Sequence, residues 1–326
     1  MAQNRNELVD FYKGFLMFGV IWGHTITALK GGLDVGPVFI HTFLRIYDMP
    51  FFMILSGFFL GKSLLHNSCK RVLINRISMI LFPVVLWNLV ARNINFSSFY
   101  FLWAVFVSSS ICISGYWLGN YCKNGRYIEL CVEILVTLIL YTVDIPWNMF
   151  YLFPFFILGR YLPNIEFRLS HFMLVFFCFI MLICFWKGEY SPWVLGYDEW
   201  KNDIYSIGIY FYRFTLGVLG TYIAANILKV LYTLNWGGKS VLIKSGKQTL
   251  AIYILQTFIV ERFFAHIIRA LVERSCFTYD SIEVNIMGYV VAPIIAYTVL
   301  IICSMITDKL EYYKYTKYVF GFKFVR

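Results

Sequence analysis

Residues 13–24, KGFLMFGVIWGH, decide the fold class. A lysine opens the stretch, a histidine closes it eleven positions later, and nothing ionisable stands between them. The apolar run continues to Leu29, so a helix over it would lie in lipid. Ionisable side chains are expensive there and by default mark a partnered or functional position.

The same pattern recurs along the chain. Its 326 residues are 60% hydrophobic, 20% aromatic and only 14% charged, whereas a soluble domain is about half apolar. Apolar segments bounded by charge or turn residues lie at 11–29, 41–60, 77–92, 99–119, 128–144, 148–162, 170–187, 204–228, 248–268 and 285–306. Several approach the roughly 20 residues that cross a ~30 Å hydrocarbon core. The pattern predicts an all-α fold, a polytopic membrane helix bundle with about ten transmembrane helices. One integral membrane domain over 1–326 is expected, with no separate soluble domain. Pro50, Pro83, Pro154, Gly217 and Gly220 fall inside these segments, which bundles tolerate when neighbours satisfy the freed backbone groups. The third and sixth are short and are expected to be tilted or broken. The first segment is expected to stay as a helix, because Glu7 and Asp10 precede it and no small-residue cleavage site follows.

Charge sets the orientation. If the N-terminus is cytoplasmic, nineteen of the 28 Lys and Arg residues, segment edges included, are assigned to one side, five to the other, and Arg45, Arg213, Arg262 and Arg269 to the membrane. This positive-inside asymmetry puts both termini in the cytoplasm. It also accounts for the net charge of +10 without a nucleic-acid partner. The eight cysteines form no CxxC pair and mostly fall in apolar segments, so they read as small apolar fillers, with no disulfide framework or metal site. The stretch 189–204, EYSPWVLGYDEWKNDI, mixes acids with Tyr and Trp. That composition suits sugar stacking, although an interfacial aromatic belt looks the same.

The ionisable residues inside the segments are the candidates for chemistry. Lys13 and His24, at about 100° per residue, differ by only about 20° from three full turns and share one helix stripe, roughly 16 Å apart along the axis. Lys13 can snorkel to the rim, whereas an imidazole has no such reach. Asp10 either steadies Lys13 or caps the helix. Arg45 and Asp48, three apart, either neutralise each other or face a substrate. A basic loop with Lys62, Lys70, Arg71 and Arg76 follows. Lipid headgroups explain it, and so does a multiply phosphorylated cofactor, since Arg forks match phosphate oxygens in pairs. Arg213, mid-segment, needs a partner in the bundle, with Glu129 and Glu133 as candidates, and Glu261 with Arg262 stands toward the outer end of the ninth segment. No GxSxG, HExxH, internal repeat or phosphate-binding glycine loop is present.

Five stretches in order resemble a known family. RNELVDFYKGFLMFGVIWGH, with Arg5, Asp10, Lys13 and His24, resembles the first-helix signature of the integral-membrane acyltransferase-3 family, in which a basic residue precedes a histidine by eleven positions. MPFFMILSGFFLG, with Ser56 in its Ser-Gly pair, is similar to the family's second-helix signature, and CKRVLINRISMILFP to the basic loop leading to a proline. YFLWAVF looks like its Trp-Phe-Leu segment and GKQTLAIYILQ like its late Gly-x-x-(Ser/Thr)-Leu-x-Ile-Tyr motif. The resemblance runs from residue 5 to about residue 256. Tyr100 replaces the usual Trp, while Asp48 and Gln256 stand where a His is frequent, which leaves His24 as the one histidine in the matched motifs able to act as a base.

The resemblance implies an enzyme of the bacterial cytoplasmic (inner) membrane and cell envelope. It would transfer an acyl group, most often acetyl, from cytoplasmic acetyl-CoA or another acyl-CoA to a hydroxyl of an extracytoplasmic carbohydrate. Surface polysaccharides and lipid-linked glycans are typical acceptors. The implied partners are the lipid bilayer, acyl-CoA and a glycan acceptor, with no metal and with a homo-oligomer left open. His24 would be catalytic, with Asp10 and Lys13 beside it. Arg71, Arg76, Lys70 and Lys13 would hold the donor. Arg45, Asp48, Ser56, Tyr100, Arg213 and Gln256 are the polar bundle residues to face substrate. Two roles are open for His24: general base on the acceptor hydroxyl, suited by imidazole's ordinary pKa of about 6.5, or transient acyl carrier. The alternative function is a transporter or flippase using Arg213, Arg45 and Glu261, although the paired halves that transporters often show are not visible. A non-catalytic assembly partner would leave His24 and Arg213 without a purpose.

Overall fold

The first helix starts at Asn6, whose side-chain oxygen accepts a hydrogen bond from the Leu8 N–H at 3.1 Å and so satisfies one of the unpaired donors of a helix start. Asp10 lies inside the helix, so the capping role considered for it belongs to Asn6. The computed structural model describes residues 6–30, 39–92, 99–142, 149–162, 169–186, 204–275, 281–313 and 316–321. Its elements are helices α1 (Glu7–Leu29), α2 (Phe39–His66), α3 (Cys69–Val90), α4 (Tyr100–Gly119), α5 (Gly125–Thr142) and α6 (Met149–Tyr161). They continue as α7 (Leu169–Ile183), α8 (Ile204–Thr233), α9 (Lys239–Lys247), α10 (249–275), α11 (281–311) and the short α12 (Thr316–Val319).

Each of the ten predicted segments is helical over most of its described residues. Six stretches, Phe39–His66, Cys69–Val90, Tyr100–Gly119, Gly208–Thr233, Thr249–Ala270 and Met287–Glu311, are long and apolar enough to cross a membrane, and Met149–Tyr161 and His171–Ile183 are shorter apolar helices. The chain is a polytopic helical membrane bundle. Two predicted loops are corrected. The basic loop before the third segment shrinks to Asn67 and Ser68, because α3 begins at Cys69 and carries Lys70, Arg71 and Arg76 on its first turns. Lys and Arg are good helix formers, so the helix runs on past the apolar stretch. KSVLIKSGK, read as loop, forms α9.

Two helices widen where a proline sits. Pro83 and Pro293 lack an N–H, and their rings press on the carbonyl four residues back, at Met79 and Tyr289. The turns Ile77–Leu81 and Met287–Val291 are wound as π-helix at these places, the usual form of such a local expansion.

The helices form two compact units, one of Met1–Asp48 with Ile223–Phe324 and one of Met49–Tyr222. In the first, α1 is central and packs on α9, α10 and α11. A Cβ on Gly14 would overlap the Leu242 carbonyl, and one on Gly246 the Asp10 carbonyl. Small residues let membrane helices approach this closely, so Gly246 of GKQTLAIYILQ lies directly on the first-helix motif. Gln248 then ties α9 to α11: its Nε2 donates to Asp308 Oδ1 at 2.8 Å and its Oε1 accepts from Ser304 at 3.0 Å, while Lys244 pairs with Asp308. Trp22 of α1 donates to the Gly288 carbonyl at 2.8 Å, within the widened turn of α11.

The second unit uses the same device. Gly57 and Gly61, at GxxxG spacing on α2, face the Phe156 and Arg160 carbonyls of α6, and Gly159 faces the Ile54 carbonyl in return. The glycine of the Ser56-Gly57 pair is therefore a packing residue.

Gly246→Val puts a branched Cβ against the Asp10 backbone and is expected to cost about 1–3 kcal/mol, as overpacking does. Thermal unfolding followed by size exclusion in detergent checks this. Gly237→Val, where nothing lies within 4 Å of the added carbon, is expected to leave the midpoint unchanged.

Candidate active site around His24

The site is built on a distortion of α10. Its middle, Thr257–Phe264, is wound as π-helix without a proline. In an ordinary α-helix residues five apart point about 140° away from each other, whereas i→i+5 winding brings them into line. Gln256 Nε2 accordingly donates to Glu261 Oε1 at 3.1 Å and to Thr257 Oγ1 at 3.0 Å, and the Thr257 hydroxyl lies 3.3 Å from the same Glu261 oxygen. Glu261 Oε1 is thus fixed as an acceptor.

His24 of α1 brings Nδ1 to 3.4 Å from that oxygen. A carboxylate oxygen 3.4 Å from Nδ1 favours the ring proton on that nitrogen, and with the proton there the lone pair lies on Nε2, the tautomer a general base needs. Nε2 is buried and makes no hydrogen bond among the described residues. A buried polar atom left unpaired costs about 1–3 kcal/mol, so Nε2 is the atom that a ligand hydroxyl would satisfy.

α2 closes another side. Arg45 Nη1 lies 3.4 Å from Asp48 Oδ2, with both side chains buried, so the neutralising pair read from the three-residue spacing forms. Beside His24, a Cβ on Gly23 would come within 3.2 Å of Arg45 Nη2 and 3.3 Å of His41 Cδ2. The bare glycine lets the guanidinium and the second imidazole lie on the α1 backbone.

The structure therefore brings together His24, Arg45, Asp48, Gln256 and Glu261 in the first unit. Asp10 is buried on α1 with its carbonyl against Gly246, and Lys13 is half-buried on the same helix. In the second unit, Lys70 and Arg71 are exposed and Arg76 is half-buried on α3, Ser56 is half-buried on α2, and Tyr100 is half-buried at the start of α4. Arg213 is buried on α8 and lies over the Tyr151 ring, 4.6 Å from its centroid. The pairing considered for it with Glu129 or Glu133 is corrected, because both carboxylates bind Arg160 at the end of α6. Arg160 had read only as an orientation charge, yet α6 packs on α5 and takes its guanidinium to both acids. Residues 189–203 of the aromatic stretch and Arg5 lie outside the described residues. Two site residues escaped sequence reasoning in part: Glu261 was seen as a charge without its histidine, and His41 was not singled out.

No family model matches the chain, and no solved structure matches it. It is similar to two proteins named nodulation protein NolL. The one from Sinorhizobium fredii is 24% identical over 230 residues, covering 63% of this chain and 60% of that protein. The one from Mesorhizobium japonicum is 24% identical over 295 residues, covering 78% of this chain and 76% of that protein. The chain thus spans three fifths of the length of the first relative and about three quarters of the second.

Arg160→Met is expected to leave Glu129 and Glu133 buried without their cation, a loss of roughly 3–5 kcal/mol for a broken buried pair. A lowered unfolding midpoint in detergent, or loss of monodisperse protein, checks this. Adding Glu133→Gln to Arg160→Met is expected to restore part of the loss.

Proposed function

We propose that this chain is a membrane O-acyltransferase. It moves an acyl group, most simply acetyl, from cytoplasmic acyl-CoA to a hydroxyl of a carbohydrate on the far side of a bacterial inner membrane. One observation carries the reading: His24 Nδ1 faces Glu261, itself held by Gln256 and Thr257, while the buried Nε2 is unpaired among the described residues. The motif resemblance supports acyl transfer onto a carbohydrate, and the chain's likeness is to two proteins named for nodulation.

The chemistry follows from that nitrogen. His24 Nε2 takes the proton of the acceptor hydroxyl as its oxygen attacks the thioester carbonyl. The C–S bond then breaks, the thiolate recovers the proton from the imidazolium, and the products are the O-acyl ester and free coenzyme A. Glu261 steadies the imidazolium in between and fixes the ring, the part an orienting acid plays in a catalytic triad. Direct transfer needs only one protein group between thioester and hydroxyl, which favours the base over an acyl carrier. The phosphates of the donor suit Arg71, Arg76 and Lys70 on the first turns of α3, where guanidinium forks match phosphate oxygens. Lys13, on the stripe of His24 and roughly 16 Å along it, is assigned to the donor on the motif resemblance alone.

In proteoliposomes supplied with acetyl-CoA and an acceptor glycan, free thiol is expected to appear with the acylated glycan. His24→Ala is expected to lower turnover by about 10²–10⁴-fold, with Glu261→Gln between it and the parent. Full activity of His24→Ala would remove the assigned base.

Replacing Arg71 and Arg76 together with Ala is expected to raise KM for the acyl donor more than KM for the acceptor. An unchanged donor KM would return both residues to topology and lipid contacts.

A further inference from the structure

His41 is a polar group at this site that the transfer chemistry does not use. With Arg45 and Asp48 it stands at i, i+4 and i+7, one stripe of α2. Three polar side chains on one stripe of an otherwise apolar span need a reason. Arg45 and Asp48 meet each other. His41 Nε2 is buried and makes no hydrogen bond among the described residues. Its ring edge lies against the α1 backbone at Gly23, the residue next to His24, with the Arg45 guanidinium touching the same spot. Two imidazoles on two helices therefore converge beside one guanidinium, and each keeps one buried nitrogen unsatisfied. Buried polar atoms in native structures are paired, by ligand where not by protein.

The chemistry of the missing partner can be narrowed. An imidazole nitrogen donates or accepts, and a hydroxyl does both, so the two match in either tautomer. A thioester carbonyl only accepts, and the cationic Arg45 suits it better than a neutral ring. We propose that His41 is an acceptor-binding residue, its Nε2 hydrogen-bonded to a second hydroxyl of the same sugar whose reacting hydroxyl lies at His24. This rests on the acyl-transfer reading above. The site would then select sugars that keep a free hydroxyl close to the one acylated. A pocket built to hydrogen-bond a hydroxyl rejects the analogue that lacks it, because the protein atom is left unpaired.

The full chain in proteoliposomes tests this, with acetyl-CoA as donor and methyl glycosides of the common hexoses, 6-deoxyhexoses and N-acetylhexosamines as acceptors. The best acceptor is then compared with each of its monodeoxy analogues. The parent is expected to discriminate against one analogue, besides the one lacking the acylated hydroxyl, by roughly 10–100-fold in kcat/KM, the scale of one buried polar atom left unpaired. His41→Ala is expected to raise acceptor KM by a similar factor and abolish that discrimination, with donor KM unchanged. His41→Gln, which keeps a hydrogen-bonding group, is expected to recover part of the acceptor KM. The unchanged donor KM separates this from misfolding, since a merely structural histidine would disturb both substrates. If His41→Ala keeps acceptor KM and the discrimination while His24→Ala is inactive, the His41 assignment fails and the transfer reading stands. If the parent releases no His24-dependent thiol with any of these acceptors, the transfer reading fails and takes the His41 assignment with it.

Discussion

Lipid offers no hydrogen-bond partner, so a polar group inside a span must find one on its own helix, on a neighbour or on a ligand. That constraint organises both units of this protein. His24 of α1 faces Glu261 of α10, Trp22 of α1 bonds the Gly288 carbonyl of α11, and Gln248 joins Ser304 and Asp308 across from α9. In the other unit Arg160 of α6 takes both acids of α5. Helix pairs held this way can approach closely only where side chains are small, and Gly14, Gly246, Gly57 and Gly159 supply the clearance. Polar pairs set which faces meet, and glycines set how near they come.

The widened turns show two origins for one geometry. At Pro83 and Pro293 the proline explains the π-helix locally. At Thr257–Phe264 no proline is present. There the π winding aligns Gln256 with Glu261, and that alignment fixes the oxygen that His24 meets. Departures of this kind recur at functional sites, and here the distortion has a definite product, an oriented carboxyl oxygen.

Much of this architecture was legible residue by residue. The apolar segments correspond to helices because hydrophobic length in a membrane is a one-dimensional quantity. The Arg45–Asp48 pair was legible because three-residue spacing on a helix is a contact. Charged residues just outside an apolar run misled: Lys70, Arg71 and Arg76 looked like loop and are helix, because charge ends the lipid-buried stretch without ending the hydrogen-bond ladder. The partner of Arg213 is open in the sequence because charge complementarity alone does not say which helices are neighbours, and α6 beside α5 brings Arg160 to Glu129 and Glu133.

By itself the sequence determined the helical membrane class, the segments and the one histidine placed deep on a lysine-bearing stripe, because hydropathy, charge bias and helical period are local properties. Tertiary structure decided what that histidine can do. Its carboxyl partner comes from a far part of the chain, through a π turn with no sequence signature here. The second imidazole lies against the adjacent Gly23, where a side chain would crowd it. Both depend on which helix faces meet, and that follows from packing across the whole unit, which no single segment encodes.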